Sequence, residues 1–423
     1  MQLFLTFLTY TLFVAGYSWY KLRKEKLGSQ EGYFLGGRSL TGIVIAGSML
    51  LTNISTEHLI GMNGSSYKNG FIIIAWEVTS ALALILTAVY FVPKYLKMGL
   101  TTIPQFLENR FDGFTRTLVA FFLMISFIVT LLPIVLYTGA INLESIFNVS
   151  ELLEVSQTQG MNYTIWTIGL IGSIYAIFGG LKAVAVSDTL NGYGLLFGGL
   201  AIPFMALLSI GEGNPLEGLS KVYHHAPEKF NVIGAHDSVM PFEVLFTGLI
   251  INQIYFWCMN QMIIQRALGA KNLKEAQKGL LFTGLLKILV PLIIILPGVI
   301  GFYYYGELFY DHQDSIYPEL IKKVLPTSFV GLFAAVVMGA VLSTFNSVLN
   351  SAATIFSLDI YQRHLNPNVS DRRLVKIGKF TQPFLVCFQI FLLLLFPIPP
   401  KDFTHCYNSS MEFSLSQIVS KKL

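Results

Sequence analysis

Two charges of opposite sign stand alone in apolar runs: Glu77 in IIIAWEVTSALAL and Lys287 in FTGLLKILVPLII. Both lie too far from the ends of those runs to snorkel to water. An unpaired charge at the bilayer centre costs about 3 kcal/mol or more, so the two are expected to pair with each other or with a bound polar ligand. A denser interruption is Thr52-Asn53-Ile54-Ser55-Thr56-Glu57-His58, inside the otherwise apolar stretch 41–66. Gly47, Gly61 and Gly64, with β-branched and Asn/Ser residues between them, predict a helix that unwinds at mid-depth. Its freed carbonyls would suit a cation, and its half-helix N-terminus a polar solute. A second apolar run, 244–266, is broken by Asn252, Gln253, Asn260 and Gln261. Ser343-Thr344, in MGAVLSTFNSVLNSAAT, adds adjacent hydroxyls with Asn346 and Ser347 nearby. Hydroxyl and carbonyl oxygens suit a hard cation such as sodium, although small and hydroxyl residues also serve close helix packing. The sequence holds no nucleophile–base pair, metal cluster or phosphate loop, and Ser343-Thr344 have no general base nearby, which points away from an enzyme.

The elements that must position these groups are membrane helices. Hydrophobic residues make up 53% of the 423 and charged residues only 12%, against roughly 25% charged in a soluble domain. The net charge of +4 therefore concerns membrane sidedness rather than nucleic acid. Cys258, Cys387 and Cys406 have no paired spacing and suggest neither a disulfide framework nor a zinc site. Residues 2–20 are apolar and are followed by Lys21, Arg23, Lys24 and Lys26, the reverse of a signal peptide, so they read as a retained first span. Further spans read at about 41–66, 71–96, 116–147, 161–178, 183–210, 244–266, 279–304, 328–358 and 375–397. With the N-terminus outside, the loops 21–40, 93–116, 179–182, 266–278 and 361–379 face the cytoplasm and hold most of the 28 lysines and arginines, which fixes the orientation. The outer loop 305–326 is acidic, and the longest loop, 211–243, lies on the same side. Counted over the ten, the two polar-broken spans are the second and the seventh. They hold the same place in two five-helix repeats, the pattern expected of inverted-repeat secondary transporters.

The stretches YFLGGRSL (33–40), NISTEHLIGMNGSSY (53–67), TTIPQFLENRF (101–111), YAIFGGLKAVAVSD (175–188), NQMIIQRALGAKNLKEAQKG (260–279) and LSTFNSVLNSAATIFSLDIY (342–361) resemble a sodium/solute symporter of the sodium/sugar cotransporter branch. The resemblance implies an all-α integral membrane protein: a leucine-transporter-like core of two inverted five-helix repeats behind one extra N-terminal helix, working by alternating access. It implies a sugar or polyol site at Asn53, His58, Glu77, Ser80, Gln253 and Lys287, with Phe256 and Trp257 closing it from the inside and Met62 and Trp76 on its outer side. Phe256 departs from the usual gate tyrosine, keeping a stacking face without the hydroxyl. The implied sodium site is formed by the carbonyls of Leu51, Ile54 and Ala340 and the hydroxyls of Ser343 and Thr344, and Asp188 matches a coupling or gating carboxylate.

The chain then divides into the extra helix and cytoplasmic loop (1–40), a first repeat (41–210), an extracellular loop (211–243), four helices of a second repeat (244–397) and a polar tail (398–423). The family core has a tenth helix after 375–397, and the tail has no run of 18 apolar residues to supply it. The expectation is therefore a C-terminally shortened symporter in the plasma (inner) membrane, moving sodium with a sugar or polyol. The rival expectations are a transport-incompetent sensor or remnant, or symport of an inositol, sialic acid, a small carboxylate or an amino acid.

Overall fold

In a computed structural model of the chain, residues 2–23, 28–55 and 58–395 are described, with backbone only at 175–179, 390 and 392–395. Thr56, Glu57, Cys406 and the polar tail lie outside them. Among the described residues the regular structure is helical, apart from one isolated parallel bridge between Leu40 and Ala270.

The helices that matter below are α1 (Gln2–Leu22), α2 (Gly42–Asn53), α3 (Asn63–Asn69), α4 (Ala75–Leu86), α5 (Gly113–Ile125), α6 (Leu132–Phe147), α7 (Gln157–Ile210), α8 (Pro215–His225), α9 (Gly248–Ile254), α10 (Gln261–Leu268), α11 (Leu273–Leu286), α12 (Val290–Tyr305), α13 (Ile316–Val324), α14 (Thr327–Ile355) and α15 (Asp371–Leu395). Among the described residues, five helical segments are long and apolar enough to cross a membrane: His58–Lys97, Gly113–Phe147, Gly180–Ile210, Leu273–Tyr305 and Thr327–Leu365. The apolar helices Gly42–Asn53 and Gly248–Met259 are shorter, because each is one half of a broken helix.

The first break follows Asn53: α2 closes its last turn with Ile54 N–H on Leu50 O at 2.8 Å, and the chain leaves helical geometry at Ile54 (φ −82°, ψ 71°). A wide turn, His58–Met62, then leads into α3. The second break is at Asn260, whose ψ of 118° is extended and whose side chain accepts from Met262 N–H to cap α10. Both breaks fall at the polar interruptions. The glycines do a different job from the one expected. Gly47 and Gly64 sit inside helices; a Cβ on Gly47 would meet Thr189 at 3.0 Å and one on Gly64 would meet the Gln313 carbonyl at 2.8 Å. They permit close approach, while backbone-competing Asn and Ser residues end the helix.

The predicted loop 179–182 is a sharp kink: α7 is two helices that meet at Gly180 (φ 57°, ψ −166°), where a side chain would collide with the Tyr33 carbonyl at 2.7 Å. Around this frame α14 packs on α1, α6 and α7, while α2 packs on α7 and α11. Both broken helices thus pack on long ones, α2 on α7 and α11 and α10 on α14, beside the candidate residues.

Candidate functional site

Glu77 is in the first turn of α4 and Lys287 caps the end of α11. Both side chains are about 2% exposed, and they form an ion pair. The Lys287 ammonium also donates to Asn53 Oδ1 at 2.5 Å and stands 5.5 Å from the centre of the Trp257 ring. His58, the first residue of the wide turn, places Nε2 4.0 Å from Glu77 Oε1, and its buried Nδ1 has no hydrogen-bond partner among the described residues. From α9, Gln253 Nε2 donates to the Trp76 carbonyl at 2.9 Å and Gln253 Oε1 accepts from Trp257 Nε1 at 3.0 Å. Phe256 and Trp257 meet edge to face at 5.2 Å. Ser80 is buried, and its hydroxyl donates to the Glu77 carbonyl one turn back at 2.6 Å. Met62 is buried in the turn that carries His58, and Trp76 is half-buried.

Direct contacts thus gather Asn53, His58, Glu77, Gln253, Lys287, Trp76 and Trp257 from both broken helices and the two helices that follow them. The chemical character is that of a charge-balanced patch, with one anion, one cation, mixed donor–acceptor groups and an indole face.

A second cluster lies beside it, at Thr52. Thr344 Oγ1 donates to the Thr52 carbonyl at 3.3 Å, and Ser343 Oγ is 3.2 Å from Thr52 Oγ1. These hydroxyls of α14 meet α2 where it ends and its last carbonyls lose their intrahelical partners. Leu51, Ile54 and Ala340 are fully buried around the same crossing. Asp188, on α7, accepts from Ser48 Oγ at 2.7 Å and pairs with Arg266 at 3.1 Å.

Arg266 is what sequence reasoning missed. Counted there as one more cytoplasmic positive charge, it is 1% exposed. It donates to Ser48 Oγ at 2.5 Å, Met262 O at 2.5 Å and Thr52 Oγ1 at 2.6 Å, and also to Ser347 Oγ. The missed signal was the spacing of the hydroxyls around it: Ser48 and Thr52 on one helix and Ser343 and Ser347 on another are each four apart and so share a helix face, with Ser48, Thr52 and Ser347 reaching Arg266 and Ser343 reaching Thr52.

Comparison with known proteins decides the family. Residues 33–411 match the sodium:solute symporter family. The chain belongs to that family. It is 47% identical over 375 residues to the uncharacterized symporter YidK of Escherichia coli (strain K12), covering 89% of this chain and 65% of that one. It is 34% identical over 380 residues to the sodium/glucose cotransporter of Vibrio parahaemolyticus, covering 84% and 68%. With the human sodium/myo-inositol cotransporter the identity is 30% over 428 residues, covering 90% and 57%. The chain thus spans between about half and two thirds of the length of these relatives, which are transporters by name. A solved structure, the substrate-bound outward-open state of a sodium-coupled sialic acid symporter, superposes with a TM-score of 0.79 at 21% identity, covering 94% of this chain and 83% of that one. That likeness is one of fold: this sodium:solute symporter chain shares the inverted-repeat helical architecture.

Proposed function

We propose that this chain binds a neutral sugar or polyol at Asn53, His58, Glu77, Ser80, Gln253 and Lys287, binds sodium at Leu51, Ile54, Ala340, Ser343 and Thr344, and moves the two together by alternating access across the plasma membrane, its N-terminus outside. Trp76 and Met62 cover the solute from the outer side and Phe256 and Trp257 from the inner side, while Asp188 takes part in coupling. The domain boundaries are those read from the sequence, with repeats at 41–210 and 244–397.

The observation that carries this reading is the balance of the patch. A sugar presents hydroxyls, so its site needs donors and acceptors together beside an apolar face. Glu77 supplies acceptors, Lys287 donors, and His58 Nδ1 a buried valence that no described residue fills. An anionic solute such as a carboxylate or sialic acid would call for a cation in excess, whereas the Lys287 charge is taken up by Glu77. Sodium then fits beside the solute rather than in it, because Thr52 and Asn53 are adjacent residues and face the two clusters separately.

The test is binding and uptake of a panel of labelled hexoses, inositols, sialic acid, carboxylates and amino acids, with sodium or potassium, by the purified chain in detergent and in proteoliposomes. Sodium-dependent binding restricted to neutral polyols supports the reading. Preference for an acid overturns the solute class, and binding without flux assigns a sensor rather than a symporter.

A further inference from the structure

The outer loop 211–243 carries several charges, and one of them is buried. Lys229, in the turn Pro227–Phe230, is 7% exposed. Its ammonium donates to the carbonyls of Tyr67 at 3.3 Å and Lys68 at 2.6 Å, the last turn of α3, and to the Tyr310 hydroxyl at 3.2 Å. It also lies 4.2 Å from the centre of the Phe302 ring. All three acceptors are neutral oxygens, and burial lowers the lysine pKa although Glu228 and Glu307 oppose the shift. Backbone contact is as tight as the side-chain contact: at Gly70 (φ +77°) a Cβ would lie 2.3 Å from the Lys229 carbonyl. Phe71 and Phe230 stack beside it at 5.3 Å.

One atom therefore joins three elements. They are the long outer loop, the turn Tyr310–Ser315 of the second outer loop, and α3, the outer half of the first broken helix. That same second loop backs α3 again where Gln313 meets Gly64. A methionine or leucine would fill such a cluster without desolvating a charge, so packing alone does not account for an ammonium here. Carbonyls at a helix C-terminus favour a cation, and the bonds form only while all three elements are in register. At the other end of α3 is the turn that carries His58 and Met62. Glu77 and Lys287 are about 2% exposed with this assembly in place.

We infer that Lys229 is a positioning residue for solute uptake, a knot that holds the outer half-helix, and with it His58 and Met62, against both outer loops while the path to the outside is shut, and that comes undone when that path opens. This rests on the solute site proposed above.

The experiment uses the full chain with Cys258, Cys387 and Cys406 replaced by serine, and compares it with the same chain carrying Lys229→Cys, Lys229→Met or Lys229→Arg. Amide hydrogen exchange, which needs no solute, is expected to be at least tenfold faster in both 58–69 and 306–315 for the Lys229→Cys and Lys229→Met variants, with α14 unchanged. Coupling of an aminoethyl methanethiosulfonate to the single thiol of the Lys229→Cys variant rebuilds the ammonium and should restore slow exchange, whereas the neutral ethyl reagent should not. Lys229→Arg should stay close to the parent. Where the parent binds polyol, the loosened variants should show a several-fold change in affinity that only the aminoethyl adduct reverses. Solute with sodium should also slow reagent access to that introduced thiol at least fivefold. Exchange confined to 226–231, or equal rescue by both reagents, overturns the knot. A parent that binds no polyol removes the solute reading and leaves the exchange result to decide the knot by itself.

Discussion

Among the described residues, two ion pairs between broken and continuous helices have both side chains at most 2% exposed, and they differ in how completely they are satisfied. Around Arg266 the guanidinium reaches Ser48, Thr52, Ser347, Asp188 and the Met262 carbonyl. Asp188 in turn accepts from Ser48. Around Lys287 the ammonium reaches Glu77 and Asn53, with an aromatic face beyond, and the neighbouring His58 Nδ1 stays without a partner among the described residues. A closed network of buried charges fixes the elements that supply it, here α2, α7, α10 and α14. An open one holds valences that a ligand with hydroxyls would complete. Depth gives no hint of this difference, since all four charged side chains are 1–2% exposed.

The contrast is broken most sharply by removing one member of the closed pair. Arg266→Met leaves Asp188 buried without its cation, for which about 3–5 kcal/mol of lost stability is expected. The double variant Asp188→Asn with Arg266→Met should recover most of that loss, because the remaining groups are neutral and hydrogen-bonded. Thermal unfolding in detergent measures both. If Arg266→Met melts with the parent, the network is not closed in the sense described.

Next comes the open pair treated the same way. Glu77→Gln with Lys287→Met should also keep the fold, yet should weaken polyol binding about 100-fold, since two charge-assisted bonds worth roughly 1.5 kcal/mol each are lost to the ligand. The double variant at Asp188 and Arg266 should bind polyol nearly as the parent does. Equal affinities for both double variants, by direct binding, would erase the distinction between a site and a strut.

The sequence showed the open pair plainly and the closed one hardly at all. Glu77 and Lys287 interrupt long apolar runs, so each is conspicuous alone, and their pairing follows from the energetics of a charge in lipid. The polar interruptions at 52–58 and at Asn260 likewise marked where the helices break, because Asn and Ser residues offer the backbone an alternative to helix. Arg266 sits at the end of its span next to Gly269, Lys271 and Lys274, where a basic residue is ordinary and composition alone does not separate an exposed one from a buried one. Lys229 is in a polar loop with no periodicity, and only tertiary packing buries it. The break at 179–182 was legible, and it is short because one residue, Gly180, in a positive-φ geometry turns the chain without lengthening the connection.

The cluster proposed to bind sodium lies between the two pairs, since Thr52 meets Ser343 and Thr344 on one side and Arg266 on the other. Ser343→Ala with Thr344→Ala removes two hydroxyl oxygens from a hard-cation set that needs about five or six, while carbonyls remain. The sodium concentration for half-maximal polyol binding should rise about tenfold. The polyol affinity at saturating sodium should hardly change, as the open pair is untouched. Unaltered sodium dependence would move the ion elsewhere.

The smallest effect comes from a half-buried carboxylate that has neither kind of partnership. Asp314, in the turn Tyr310–Ser315 outside the membrane spans, keeps its Oδ1 buried with no hydrogen-bond partner among the described residues. Burial raises its pKa from 3.8 to about 6. A carboxyl whose folded pKa is raised makes no difference to stability below the unfolded value, where both states hold the proton. As pH climbs from the unfolded value to the folded one, the unfolded chain ionises first, and the native state loses stability relative to it. Above the folded value the loss is complete and constant. Asp314→Asn abolishes the titration, so it should raise the midpoint of thermal unfolding by about 2 °C at pH 7.5, with a smaller gain at pH 5. Were Asp314 instead held by a cation, as Glu77 and Asp188 are, the sign would reverse and the variant would melt lower at pH 7.5 than the parent.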